Sequence, residues 1–163
     1  MTIAMMLKHK LHFFQDEITE IDTKINKLKE ELKEVHNDTA ESTRQSSETW
    51  HDNYMFEEGQ RQLNMITSQI DDLINIRNRA EIIQKPVTTD DVKIGHRVTF
   101  KDKVLGQEKT YIIGGYMPII KPGVISYNSP VAKQLLGHRK GDTINIKVGG
   151  VDKAIEITDI KPA

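Results

Sequence analysis

Residues 7–35 read LKHKLHFFQDEITEIDTKINKLKEELKEV. Within this stretch Leu7, Leu11, Phe14, Ile18, Ile21, Ile25, Leu28, Leu32 and Val35 recur at alternating intervals of four and three. That is the heptad spacing that lays one apolar stripe along a helix and calls for a second helix to cover it. The second helix is in the same chain. After a polar stretch, 37–53, whose apolar members are Ala40 and Trp50, a ladder of Phe56, Leu63, Ile66, Ile70, Leu73 and Ile74 runs on to Ala80. The two ladders predict an antiparallel coiled-coil hairpin with its tip at about residues 45–54. The first helix is expected from about Met6 to the mid-forties, a rod on the order of 60 Å long at 1.5 Å per residue. Lys27, Lys29, Glu30, Glu31, Lys33 and Glu34 fall between seam positions and form a solvated face. The seam thins after Val35, where Thr39 and Ser42 take the next heptad places, so the distal hairpin should be the less stable end.

Moving outward, the rods are expected to end near residues 82–85, and Pro86 with Val87, Thr88, Thr89 and Asp90 reads as a linker. Beyond it the period changes from seven to two. HRVTF (96–100), TYIIGG (110–115), VISYN (124–128), TINIKV (143–148) and AIEITDI (154–160) are β-rich runs separated by glycine and proline. Between the third and fourth runs Ser129 can cap a short helix with Pro130 in its first position, and Gly137 can end it. Leu135 and Leu136 should pack that helix on the sheet. The expected fold is therefore α+β in two domains: a helical hairpin over 1–85, then an antiparallel sheet with one short helix over 86–163.

Composition narrows the class. With 37% hydrophobic and 29% charged residues among 163 the chain is globular rather than disordered. Residues 1–85 carry eleven Lys/Arg against sixteen Asp/Glu, a net of −5, and residues 86–163 carry twelve against eight, a net of +4. Two halves of opposite sign suggest two jobs. No apolar run approaches the roughly 18 residues of a membrane span, and MTIAMMLKHK lacks a secretory signal's apolar centre, so no membrane partner is expected. The absence of cysteine excludes disulfides and thiolate metal sites and fits a cytoplasmic location. An intramolecular hairpin fills its own seam, so a monomer is expected.

The segment VISYNSPVAKQLLGHRKGDTINIKV (124–148) resembles the C-terminal domain of the bacterial Gre-type transcript-cleavage factors, whose pattern is I-S-x-[ND]-S-P-[IVL]-A-[RK]-x-L-[IL]-G-x-x-x-G-D. The resemblance implies an FKBP-like sheet domain that grips the secondary-channel rim of bacterial RNA polymerase, with Asn128, Ser129 and Pro130 in the gripping loop. It implies a coiled coil that enters the channel and places acidic side chains beside the polymerase active site. There they would help hold a Mg²⁺ shared with the polymerase, and a water, at the 3′ end of the nascent RNA. A Gre-like protein is on this reading an auxiliary factor, not an enzyme by itself, and carries no cofactor alone.

At the tip the family pattern resembles D-L-x-E-N-x-E-Y, and the matching stretch is Thr49, Trp50, His51, Asp52, Asn53, Tyr54, Met55 and Phe56. Asn53 matches, and Asp52 and Phe56 are conservative replacements. Thr49 stands where the first acid is expected, and Met55 replaces another. Glu48 lies four residues before Asp52, so on a helix the two carboxylates would share a face. Glu48 and Asp52 are thus the candidate catalytic and Mg²⁺-binding pair, with Thr49, Trp50, Asn53 and Phe56 as tip support. Trp50 is expected to pack on Tyr54, and His51 to be a surface residue. Arg44 and Arg61 flank the tip and are expected either to touch RNA phosphate or to pair with Glu41, Glu57 or Glu58. The replaced acid keeps a second reading open, a Gre-homologous channel-binding inhibitor or modulator that lacks cleavage stimulation. More remote are an FKBP-like prolyl isomerase, for which Phe100, Tyr111, Tyr116 and Tyr127 make a thin aromatic pocket, and a generic coiled-coil adaptor.

Overall fold

The computed structural model describes residues 10–45 and 50–163, with side chains for all of these except 42–45, 50–53 and 55. The chain divides into two compact units, Ile18–Arg79 and the remainder.

The first unit is a pair of helices, α1 (Gln15–Gln45) and α2 (Trp50–Asn78). Two cross-links fix their direction. The Arg77 guanidinium donates to the Asp22 carboxylate at 2.9 Å, and Gly59 lies directly against Thr39. Seventeen residues up α1, from Asp22 to Thr39, thus correspond to eighteen down α2, from Arg77 to Gly59, which is an antiparallel register. That register sets Ile25 level with Leu73 and Leu28 with Ile70, all four buried. Ile18, Ile21 and Ile66 are buried as well, whereas Leu32, Val35 and Leu63 are half-buried and Phe56 is 42% exposed. The seam expected from the heptads is real, but its dry part ends near Leu28, earlier than the sequence suggests, and Phe56 does not join it.

Beyond the apolar part, contact continues through small groups. The Thr39 hydroxyl donates to the Val35 carbonyl (2.7 Å), which satisfies it in a buried position. A Cβ at Gly59 would overlap that hydroxyl. Glycine inside a helix costs about 1 kcal/mol relative to alanine, and here it permits the close approach.

The first helix does not begin at Met6. Leu11–Phe13 is a strand, β1, paired in parallel with β2 (Ala80–Ile82). Leu11 and Phe13 are both buried, so this segment alternates with the period of a strand. Phe13 is the residue the heptad reading could not place, since it lies off the ladder and yet is fully buried. β1 and β2 both belong to the second unit, so the helical unit is Ile18–Arg79 rather than 1–85. Leu7 lies outside the described residues.

The second unit is built on a five-stranded sheet of β3 (His96–Asp102), β4 (Glu108–Gly114), β5 (Val124–Ser126), β6 (Thr143–Val148) and β7 (Val151–Pro162), in the order β5-β4-β3-β7-β6. β3 pairs antiparallel with β4 and β7, and β6 with β7, but β5 runs parallel to β4. The sheet is therefore mixed rather than wholly antiparallel. The loop 115–123 carries the chain back along β4 before β5 begins, so the two strands point the same way. The alternation in β3 buries Val98 and Phe100 and leaves Arg97 and Lys101 in water. On the buried face α3 (Pro130–Leu135) lays Ala132 and Leu135 against Val98, Ile113, Ile146, Ile155 and Ile157, and Leu136 packs at the margin. Each such aliphatic side chain contributes about 1.5–3 kcal/mol when fully buried. No helix among the described residues is long and apolar enough to cross a membrane.

Candidate functional site

Two neighbouring surface features of the sheet unit are held by bonds from side chains to the backbone. The first is the turn that opens α3. Ser129 is extended (φ −66°, ψ 151°), its side chain accepts from the Ala132 N–H at 3.2 Å, and Pro130 follows in the first turn. The cap expected from the sequence is present. Gln134, which the sequence reading passed over, locks the helix to β6: its amide donates to the Pro130 and Lys147 carbonyls and its oxygen accepts from the Lys147 N–H at 2.7 Å. Asn128 and Pro130 are exposed and Ser129 is half-buried, so the three form one presented turn.

The second feature is the loop 115–123. Its first residues are clipped to β1 and the start of α1. Glu17, 4% exposed, accepts from the Gly115 N–H and from the Phe14 N–H, each at 2.8 Å. The bond to Phe14 is the reciprocal half of a capping box, in which an acid in the first turn satisfies the backbone donor before the helix. The second bond reaches 98 residues along the chain. Burial pushes the Glu17 carboxyl above its usual value of 4.5, against the opposing pull of its two backbone donors. Gly115 is required here, because a Cβ would collide with the Glu17 carboxylate and the His12 carbonyl. Tyr116 adds a bond from its N–H to His12 O (2.8 Å) and an edge-on contact with Phe13.

The loop and the turn share a hinge point. The Ser126 hydroxyl donates to the Tyr116 carbonyl at 2.9 Å and accepts from the Asn128 N–H at 3.2 Å. Beyond Tyr116 the loop projects: Ile120 is 100% exposed. Ile119 and Lys121 on either side of it line a cavity of about 150 Å³ whose walls include Phe14, Ile112, Val124 and Lys85.

At the other candidate site, Glu48 and Thr49 lie outside the described residues. Trp50 is the first helical residue of α2, so Asp52 and Asn53 sit in its first turn, where the helix dipole favours a carboxylate. Tyr54 is 68% exposed. Arg61 makes the expected ion pair, with Glu58 at 3.0 Å, and that contact holds the Glu58 carboxyl below its usual range. Among the described residues no group of three or more His, Asp or Glu side chains is placed to hold a metal.

Residues 87–162 match the family described as "Transcription elongation factor, GreA/GreB, C-term". That span contains both the capped turn and the projecting loop. Among curated proteins the chain is 29% identical over 111 residues to transcription elongation factor GreA of Ruegeria pomeroyi, covering 68% of this chain and 71% of that one. It is 37% identical over 95 residues to GreA of Brucella anthropi, covering 57% of this chain and 60% of that one, so it spans under two thirds of the latter's length. Among solved structures it resembles GreA factor homolog 1 (Gfh1) of Thermus thermophilus at 22% identity and a TM-score of 0.44, over 93% of this chain and 99% of that one. A GreA/GreB factor from Nitrosomonas europaea is similar at 23% identity and a TM-score of 0.40, over 64% and 91%. The C-terminal half is a GreA/GreB C-terminal domain, joined to a helical N-terminal part. The chain as a whole is similar to the GreA/GreB transcription elongation factors.

Proposed function

We propose that this protein binds bacterial RNA polymerase at the rim of the secondary channel through the Asn128–Ser129–Pro130 turn, and that its helical hairpin enters the channel. The observation that carries this reading is the family match over 87–162 together with the capped turn exposed on a locked scaffold. The hairpin then brings Glu48 and Asp52 beside the polymerase active site, where they stimulate cleavage of backtracked transcripts. The donor chemistry fits: Mg²⁺ takes one or two carboxylates and keeps several waters, with its remaining ligands from the polymerase. When bound, the ion would orient a water and stabilise the attacking and leaving oxygens. The chain's own contribution is to deliver two carboxylates, so the hydrolysis stays the polymerase's.

One observation favours a second reading, a channel-binding modulator without cleavage. Thr49 and Met55 occupy places where the family pattern has acids, and residue 52 falls in the first turn of α2, where a helix dipole favours an acid without any metal. A stalled, backtracked elongation complex with Mg²⁺ and labelled transcript separates the two. Shortening that is lost in Glu48→Ala and Asp52→Ala supports delivery of an acid pair. Binding with slowed elongation and no shortening selects the modulator. Failure to bind core polymerase removes both.

A further inference from the structure

We infer that Gln134 is a positioning residue for the proposed polymerase grip: its side chain fixes the orientation in which α3 offers the Asn128–Ser129–Pro130 turn. This rests on the proposed polymerase binding and adds to it a residue that lies outside the presented turn.

α3 is six residues long, and so short a helix does not hold itself. The Ser129 cap is local, and the burial of Ala132 and Leu135 is non-directional, so the direction of the helix on the sheet falls to its polar bonds. β6 is the edge of the sheet. Its two-residue hairpin to β7 closes with Val148 opposite Val151, so the next residue back, Lys147, turns its backbone N–H and C=O away from β7. Gln134 answers both groups. Its oxygen accepts from the Lys147 N–H at 2.7 Å and its amide donates to the Lys147 carbonyl at 3.3 Å, so one carboxamide stands where a further strand would pair. The amide also donates to the Pro130 carbonyl at 2.7 Å. One side chain therefore joins the last residue of the turn to the sheet edge. The other end of the turn is tied through Ser126, whose hydroxyl accepts from the Asn128 N–H and whose carbonyl accepts from the Ser129 N–H at 2.9 Å. Held at both ends, the turn still leaves Asn128 and Pro130 exposed.

The three Gln134 bonds are at the surface, where water would serve each backbone group nearly as well, so they add little to stability. What separate waters cannot supply is the common anchor between Pro130 and β6. Its effect is that the turn is ordered before a partner arrives.

The test uses the full chain and core RNA polymerase, with wild type, Gln134→Met and Gln134→Ala compared for affinity, melting temperature and amide hydrogen exchange, at a temperature where all three are folded. Methionine keeps the length of the side chain and removes all three bonds; alanine removes the side chain and keeps helix propensity. Both variants should melt close to wild type and bind polymerase roughly fivefold or more weakly. In both, the Lys147 amide and the turn amides of Asn128 and Ser129 should exchange faster. Wild-type affinity in both variants, whether or not they melt lower, makes Gln134 a purely structural residue; that overturns the inference and leaves the proposed function standing. Weaker binding with exchange at Asn128 and Ser129 unchanged places the effect outside the turn and also overturns it. No binding by wild type overturns both.

Discussion

The two units are stabilised by different geometries. In the helical unit, burial is a single file, with Ile18, Ile21, Ile25 and Leu28 along α1 and Ile66, Ile70 and Leu73 along α2, and the flanks of both helices are wet. In the sheet unit, Val98, Ile113, Leu135, Ile146, Ile155 and Ile157 enclose one another from several strands and a helix. A stripe loses only its local part when one residue is removed, whereas a closed core keeps the hole. Single large-to-small changes should therefore differ by unit, and the largest contrast is Leu135→Ala against Leu32→Ala. Leu135 is fully buried, so its truncation should cost about 2–5 kcal/mol. Leu32 is half-buried, so its truncation should cost about 1 kcal/mol. Urea unfolding followed by circular dichroism would check both, and equal losses would break the contrast.

A sharper version concerns the place where the stripe gives way to small residues. Gly59→Ala gains about 1 kcal/mol of helix propensity in isolation. In this hairpin the new methyl meets the Thr39 side chain, so the expected net effect is a loss of about 1–2 kcal/mol. Adding Thr39→Ala opens the space and should restore or exceed wild-type stability, since two alanines then face each other. A double variant no better than Gly59→Ala alone would mean that the Thr39 contact does not set the spacing of the helices.

This difference between units also decided what was legible in the sequence. A one-dimensional stripe is a one-dimensional pattern, so the heptads from Ile18 to Val35 revealed the hairpin directly. They misled over Leu11 and Phe14, because a strand that alternates can satisfy a few heptad places by coincidence, and only Phe13 lying off the ladder betrayed it. In the sheet unit the strands, the short helix and the Ser129–Pro130 cap were readable from local chemistry. The parallel placement of β5 was not, since it depends on the path of a loop rather than on the residues of the strand. Nor were the ties that shape the candidate site. Glu17 and Gly115 are far apart in sequence, and Gln134 bonds backbone groups that any residue type would present. The apolar run 117–120 is a fact of sequence, but that Ile120 is its exposed member and that a cavity lies beside it needed the fold. At the tip the reverse holds: the acids are legible as residue types, and the missing first acid at Thr49 is a fact of sequence.

Two buried carboxylates of the sheet unit extend the comparison to pH. Asp102 accepts from the Val104 and Leu105 N–H groups and from Lys153, and these donors, the Leu105 N–H first, hold it below its usual value of 3.8. Glu17 is displaced the other way because burial outweighs its donors. The stability from Asp102 is present above its unfolded value and is lost as pH falls through its depressed folded value. For Glu17 the folded state holds the proton more tightly, so its contribution is greatest below about pH 4.5 and is lost as pH rises through the raised folded value. The melting-temperature difference between wild type and Asp102→Asn should therefore widen from acid to neutral pH. The difference between wild type and Glu17→Gln should move in the opposite sense above pH 4.5. Parallel profiles would show that the two carboxylates do not differ as their surroundings require.

The smallest expected effect lies at the base of the hairpin, where the Arg77–Asp22 bridge joins the two helices. At 2.9 Å its geometry is good, yet the two side chains are 42% and 47% exposed, so water and salt screen it. Arg77→Ala should cost about 0.5 kcal/mol at low salt and still less in concentrated salt. If the loss instead approaches that of Leu32→Ala and persists in salt, the aliphatic stem of Arg77 is packing rather than pairing, and the hairpin's stripe is wider at its base than its apolar residues alone define.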